Sequence, residues 1–185
     1  MCIKNLFVEF IKFMSHDSFY VIPKWEREQI IPGKYEPWKK LLQIIRRYQS
    51  LSEKPGLKLI LKPFYVLTFR FWTAVTGADI PLNSKLGGGL LIPHPNGIVI
   101  HPASEIGCNC LIFQQVTIGT GSLPGVPVIG SHVDIGAGAK ILGGITIGNN
   151  VKIGANSVVI ESVPSNCTVV GVPARIINKD YYDSI

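Results

Sequence analysis

Charge is scarce in this chain and zinc-type cysteine pairs are missing from it. Of 185 residues only 16% are charged, against 46% that are hydrophobic, the composition of a globular protein and not of a disordered one. The four cysteines, Cys2, Cys108, Cys110 and Cys167, include no CxxC pair, which argues against a zinc ribbon and leaves free buried thiols in a reducing cytoplasm as the reading. No basic run interleaved with aromatics occurs, which argues against nucleic acid as the partner behind the net charge of +6. A phosphate-bearing cofactor, an acidic glycan or a membrane surface remains. The N-terminal apolar run from Ile3 to Met14 is broken by Glu9 and Lys12 and is followed by no small-residue cleavage site, so no secretion signal is expected and the protein is read as cytoplasmic. The most hydrophobic stretch, Leu57 to Val75, contains Lys58, Lys62, Pro63 and Arg70. Those cations sit four and eight residues apart, which favours an amphipathic helix over a membrane span, packed on the rest of the protein, with membrane-surface contact as the alternative.

What is abundant is one spacing. Ile106, Ile112, Ile118 and then Ile129, Ile135, Ile141, Ile147, Ile153, Val159 run at steps of six. A helix of 3.6 residues per turn would scatter them around its axis. Two positions earlier sits a second small or apolar residue, as in Val133/Ile135, Ala139/Ile141, Ile145/Ile147, Val151/Ile153 and Ser157/Val159, the period of one strand face. Between them lie Gly136-Ala137-Gly138, Gly148-Asn149-Asn150 and Gly154-Ala155-Asn156, residues that tolerate the left-handed dihedrals of a sharp corner. Three short strands and three corners close a triangular rung of about eighteen residues, stacked at roughly 4.8 Å. A parallel β-helix is therefore expected, in a mainly β chain.

Residues 1–77 read as an N-terminal helical segment broken at Pro23, Pro32-Gly33, Pro37 and Pro55-Gly56. Trp38 to Tyr48 is its clearest helix, with Leu41, Leu42, Ile44 and Ile45 as the apolar stripe and Lys39, Lys40, Arg46 and Arg47 as the solvated side. Residues 78–177 form the repeat domain and 178–185 a tail. A looser repeat begins at Ile80, Leu86, Ile92 and Ile98, then slips by two to Ile100. Between Ile118 and Ile129 the step is eleven, so five extra residues around Thr120 to Pro127 must bulge outward as a loop, where binding function is common on repeat scaffolds.

Of the four histidines, His16 and His132 read as surface residues and His101 as a corner residue. His94 differs, because Pro93 and Pro95 stiffen the backbone on either side of it and Gly97-Ile98 restarts the strand.

The runs Gly88-Gly89-Leu90-Leu91-Ile92-Pro93-His94, Gln114-Gln115-Val116-Thr117-Ile118-Gly119, Ile135-Gly136-Ala137-Gly138-Ala139-Lys140-Ile141-Leu142-Gly143 and Gly171-Val172-Pro173-Ala174-Arg175 resemble, in order, the serine acetyltransferase group of hexapeptide-repeat acyltransferases. The resemblance covers residues from about 77 to 177. It implies a left-handed parallel β-helix, assembly through homotrimers, and acetyl transfer from acetyl-CoA to a hydroxyl with no metal required. It places His94 as general base, since a neutral imidazole removes the proton a hydroxyl must lose to attack a thioester. It further implies that Ala137, Gly138 and Ala155 line the pantetheine arm, that Thr120 lies at the loop mouth, and that Lys140, Lys152 and Arg175 meet the cofactor phosphates. Asp79 and Asn96 are candidate acceptor contacts.

The chain departs from that group at two places. Pro93 stands where the group has Asp before the histidine, and Gly125-Val126-Pro127 stands where it has an Arg-His pair. Those polar groups hold a zwitterionic amino acid, and Val126 cannot. The departures, with a short N-terminal part, favour a sugar hydroxyl in surface-polysaccharide synthesis as acceptor over L-serine of cysteine biosynthesis. A zinc hydratase of the γ-type carbonic anhydrase kind, which would need His94, His101 and His132 as ligands, and a non-catalytic scaffold stand further behind.

Overall fold

The structure is a computed structural model that describes residues 21–51 and 55–179. Thirteen short strands lie in three sheets, the three walls of a left-handed parallel β-helix. The first wall holds β1 (Lys85–Leu86), β3 (Glu105–Ile106), β6 (Val128–Ile129) and β9 (Thr146–Ile147). The second holds β4 (Leu111–Ile112), β7 (Asp134–Ile135), β10 (Lys152–Ile153), β12 (Cys167–Gly171) and β13 (Ala174–Lys179), and the third β2 (Val99–Ile100), β5 (Thr117–Gly119), β8 (Lys140–Leu142) and β11 (Val158–Val159). All pairs are parallel except β12 with β13, an antiparallel hairpin that ends the coil.

The six-residue spacing becomes the interior. Ile112, Ile118, Ile135 and Ile141 are fully buried, and so are Val133, Ala139, Val151 and Ser157, the inward positions two residues ahead of the repeat. Register shows how the rungs depart from eighteen. Val128 pairs with Thr146 at that separation, but Glu105 pairs with Val128 across 23 residues because the five-residue excess leaves the wall. Thr120 to Gly125 are exposed. The loop does not stand free: a Cβ on Gly144 would lie 2.1 Å from the Pro124 carbonyl oxygen, so the loop is laid on the glycines of the next rung. The final rung is short by two, with Ile147 paired to Val163, a contraction that Ile160 to Val163 does not announce in sequence.

Among the described residues two α-helices precede the coil, α1 (Pro37–Ser50) and α2 (Pro55–Thr76). Pro37 opens α1 instead of breaking a helix, at the first-turn position where a missing N–H costs nothing. Leu41, Leu42 and Ile45 are fully buried in the same apolar cluster as the rungs. The cationic side of α1 is not simply solvated, as its pattern suggests. Lys39 is buried against Glu36 at 2.9 Å, and Arg46 donates to the carbonyls of Leu86 and Gly87 and to both oxygens of Glu28. Most of 21–36 is not helical either; one 3-10 turn, Trp25–Glu28, lies in an otherwise irregular strap. Helix α2 packs Phe69 and Trp72 on the core and leaves its other side bare. His16 and Cys2 lie outside the described residues.

Candidate active site

One corner of the prism gathers most of the singled-out residues. It joins the second wall to the third, and in a regular rung six residues separate the paired strand positions, as from Leu111 to Thr117 and from Asp134 to Lys140. In the first rung eight separate Leu91 from Val99, which pair with Leu111 and Thr117. The slip by two seen in sequence is therefore local. Pro93 and His94 are the two residues in excess, and the wall has no room for them. Held between two prolines, whose φ is fixed, His94 emerges exposed and stacks on Phe113 of the next rung, ring centroids 6.4 Å apart and 22° from parallel. Among the described residues no hydrogen bond or ion pair joins its imidazole to a carboxylate.

Above the bulge the corner repeats with small residues. Gln115 N–H donates to the Asn96 carbonyl, Gly138 to Gln114, and Asn156 to Ala137, at 2.9, 2.8 and 2.8 Å, so Asn96, Gln114, Ala137 and Ala155 are one column. The next column, Gly97, Gln115, Gly138 and Asn156, has φ of 70, 61, 74 and 56° throughout, the region Gly and Asn enter at least cost. Side chains on this edge interlock: Gln115 Nε2 donates to Asn96 Oδ1 at 3.1 Å, and Lys140 Nζ donates to the Gln115 carbonyl at 2.6 Å. Asp79, exposed, pairs with Val99 just past the corner and one rung earlier. At the far end Val170 of β12 covers Gly154, and Arg175 of β13 reaches to within 3.7 Å of Glu161. His94 thus stands at one end of an edge that carries Ala137, Gly138 and Ala155 and ends at the hairpin of Arg175.

Other expected site residues lie apart from this edge within one chain. Lys152 is exposed on the second wall before the corner, and Thr120 opens the loop at the far side of the third wall. Phe113 was not singled out from sequence. Its signal was an aromatic directly after a repeat Ile, where the equivalent rungs have Gly136 and Gly154.

His94, His101 and His132 occupy three different corners, so within one chain they do not converge. No group of three or more His, Cys, Asp or Glu among the described residues is placed to hold a metal ion. Burial pushes the Cys110 thiol up to about 12, which removes it as a nucleophile near neutrality. His132 sits at φ 58° in the corner between the first and second walls. Its pKa is lowered, chiefly by loss of solvent and then by Lys24 and Arg27, while Asp134 acts the other way. A hollow of about 510 Å³ lies between α1 and the first wall, lined by Gln49, Ser84, Lys85 and Glu105 among others, away from His94.

Residues 127–161 match the family model described as bacterial transferase hexapeptide (six repeats). The serine acetyltransferase of Synechococcus elongatus is 50% identical over 108 residues, covering 57% of this chain and 44% of that protein. The serine acetyltransferase of Staphylococcus aureus is 51% identical over 108 residues, 57% of this chain and 51% of its own length. This chain therefore spans about half the length of these curated relatives. Among solved structures, Neisseria gonorrhoeae serine acetyltransferase in complex with serine superposes with a TM-score of 0.66 at 36% identity, over 78% of this chain and 58% of that one. A serine acetyltransferase complex with CoA gives 0.66 and 36% over 77% and 58%.

These likenesses overturn the sugar acceptor expected for surface-polysaccharide synthesis. That expectation rested on Pro93 and on Gly125-Val126-Pro127, a handful of positions set against identity at half of 108 residues shared with serine acetyltransferases. Geometry explains why those positions mislead. Pro93 belongs to the bulge, where its ring serves the backbone, and Gly125, at φ 103° and with a Cβ position 3.1 Å from Gly144 Cα, serves the seating of the loop.

Proposed function

Starting from a hexapeptide-repeat domain of the serine acetyltransferase-like kind, we propose that this protein is an acetyl-CoA-dependent serine O-acetyltransferase acting in the cytoplasm as a homotrimer. The observation that carries the reading is the two-residue bulge: it puts an exposed imidazole at the head of an edge whose next rungs offer Ala137, Gly138 and Ala155. Small residues there let an extended pantetheine arm approach the backbone amides. The loop from Thr120 to Pro127 lies one wall away from His94; in the homotrimer we propose, a neighbour's loop faces His94 across the groove between adjacent prisms.

In the reaction His94 accepts the proton of the serine hydroxyl as its oxygen bonds to the acetyl carbonyl carbon. Backbone amides along the edge hold the oxyanion. The carbon–sulfur bond then breaks, and the CoA thiolate leaves with the proton returned by the imidazolium, giving O-acetylserine and CoA thiol. Phe113 keeps the ring from swinging away, a task that Pro93 cannot perform by hydrogen bonding. Lys140, Lys152 and Arg175 are the cations offered to the CoA phosphates. Asp79 and Asn96, flanking the bulge, are offered to the amino acid.

The test is acetyl-CoA consumption with L-serine as acceptor. Turnover with L-serine is expected, and His94→Ala lowers kcat by about 10² or more while CoA affinity stays nearly unchanged. Absence of turnover with L-serine in the wild type, or equal turnover in the variant, overturns the reading.

A further inference from the structure

The edge that starts at His94 changes character along its length. In the column Asn96, Gln114, Ala137 and Ala155, the two rungs nearest the imidazole carry carboxamides and the next two carry only methyl groups. The two carboxamides are not equivalent. Asn96 Oδ1 accepts from Gln115 Nε2 at 3.1 Å, and its Nδ2 lies over Gly77, where a Cβ would come within 2.8 Å of it. Gln114 is half-buried, and its Oε1 is enclosed without a hydrogen-bond partner. Buried polar atoms of folded proteins are nearly always paired, because a hydrogen bond given up to water has to be regained. A carboxamide oxygen with no bond to break turns outward about its last, broadly rotatable torsion at little cost.

What it would turn to follows from the reading of this edge as the bed of the pantetheine arm, on which the inference rests. Two methylenes separate the CoA sulfur from the first amide nitrogen, a span of about 4 Å, and successive rungs are about 4.8 Å apart. A thioester level with His94 therefore puts that amide level with Gln114, one rung on. The second amide, about 5 Å further along the arm, comes level with Ala137. Because the arm and the rungs have nearly the same period, and Ala137 and Ala155 present the same methyl group, an arm lying on them could slide by a rung. Sliding would carry the thioester away from the imidazole. We propose that Gln114 sets the register of the donor, its Oε1 accepting the N–H of the pantetheine amide nearest the thiol and so holding the acetyl carbon beside His94. Among the described residues it is the one carboxamide of this column whose oxygen is not already engaged.

The test is calorimetric binding of CoA and of adenosine 3′,5′-bisphosphate, which lacks the arm, to wild type and Gln114→Met, a change that keeps the length of the side chain and removes its carbonyl. CoA is expected to bind the variant roughly five- to tenfold more weakly, with nucleotide affinity unchanged. The unfolding midpoint does not fall, since no bond within the chain is lost. On the wild type, a CoA analogue with an ester in place of the first amide loses the same factor, and on the variant it loses nothing further. Equal CoA affinity in the two proteins overturns the proposal and leaves the acetyltransferase reading standing. A variant that still prefers amide to ester as the wild type does, or one with a lower unfolding midpoint, overturns it as well. Failure of the wild type to bind CoA removes both.

Discussion

Every rung of the β-helix buries the same two inward positions, whereas the helical part meets the prism through a few unlike contacts. In the rungs Ile135 touches repeat residues above, below and across, so one kind of contact is reinforced many times over. The strap and helices depend on single ties. Arg46 holds Leu86, Gly87 and Glu28 together, Glu28 accepts from the Leu90 amide at 3.0 Å, and the Asn109 side chain joins Lys24 and Ile22 to a corner. Repetition spreads stability along a coil; single ties concentrate it where one substitution can release a segment.

The largest expected effect tests the repeated part. Ile135→Ala, at a fully buried site, is expected to cost about 2–5 kcal/mol in denaturant unfolding, while Ile60→Ala, at 73% exposure, stays within about 0.5 kcal/mol. Equal costs would erase the contrast between the two regions. Arg46→Ala comes next. Its side chain and that of Glu28 are 20% and 10% exposed, so removal leaves a mostly buried carboxylate and two carbonyls without their donor, at a cost of about 2–3 kcal/mol. Hydrogen exchange should quicken in residues 22–50 and not in the rungs beyond Ile129; uniform quickening would show that the two parts open as one.

The smallest effect is a matter of pH. His132 occupies a corner column that also holds Gly89, Asn109, Asn150 and Asn166, all at positive φ, and its folded-state pKa lies below the ordinary value of 6.5. The folded protein therefore takes up this proton less readily than the unfolded chain. Stability is complete above about 6.5 and is lost as pH falls through that value toward the folded-state one. His132→Asn removes this loss, so unfolding midpoints of the variant and wild type should diverge on acidification and run parallel above neutrality. A wild type that tolerates acid as well as the variant would mean that neither loss of solvent nor the nearby Lys24 and Arg27 makes protonation of His132 costly in the folded protein.

Much of the β-helix was readable because its rule is local. The repeat Ile series, the five-residue excess before Pro127 and the slip by two near Ile98 all appear in the coil where spacing put them. The bulge at His94 was legible as that slip, although the corner that receives it was not. Arg46 misled because a cation on the outer side of an amphipathic pattern looks solvated until another segment folds over it. Phe113 was passed over because stacking on His94 joins residues nineteen apart. Weighing Pro93 and Val126 as reporters of the acceptor failed for a related cause: Pro93 belongs to the bulge, and Gly125 beside Val126 to the seating of the loop.

The six-residue period by itself determined the prism, since only a three-sided coil of short strands turns every such Ile inward and lets each rung bury the next. Which outer residues share an edge was decided by tertiary structure. The number of residues in each rung, 20, 23, 18 and then 16 between paired positions, sets which side chains align along the axis, and that sum depends on loops and bulges distant in sequence. His94, Ala137 and Arg175 come to one edge only after those offsets accumulate, and the bare side of α2 is defined only once Phe69 and Trp72 have docked.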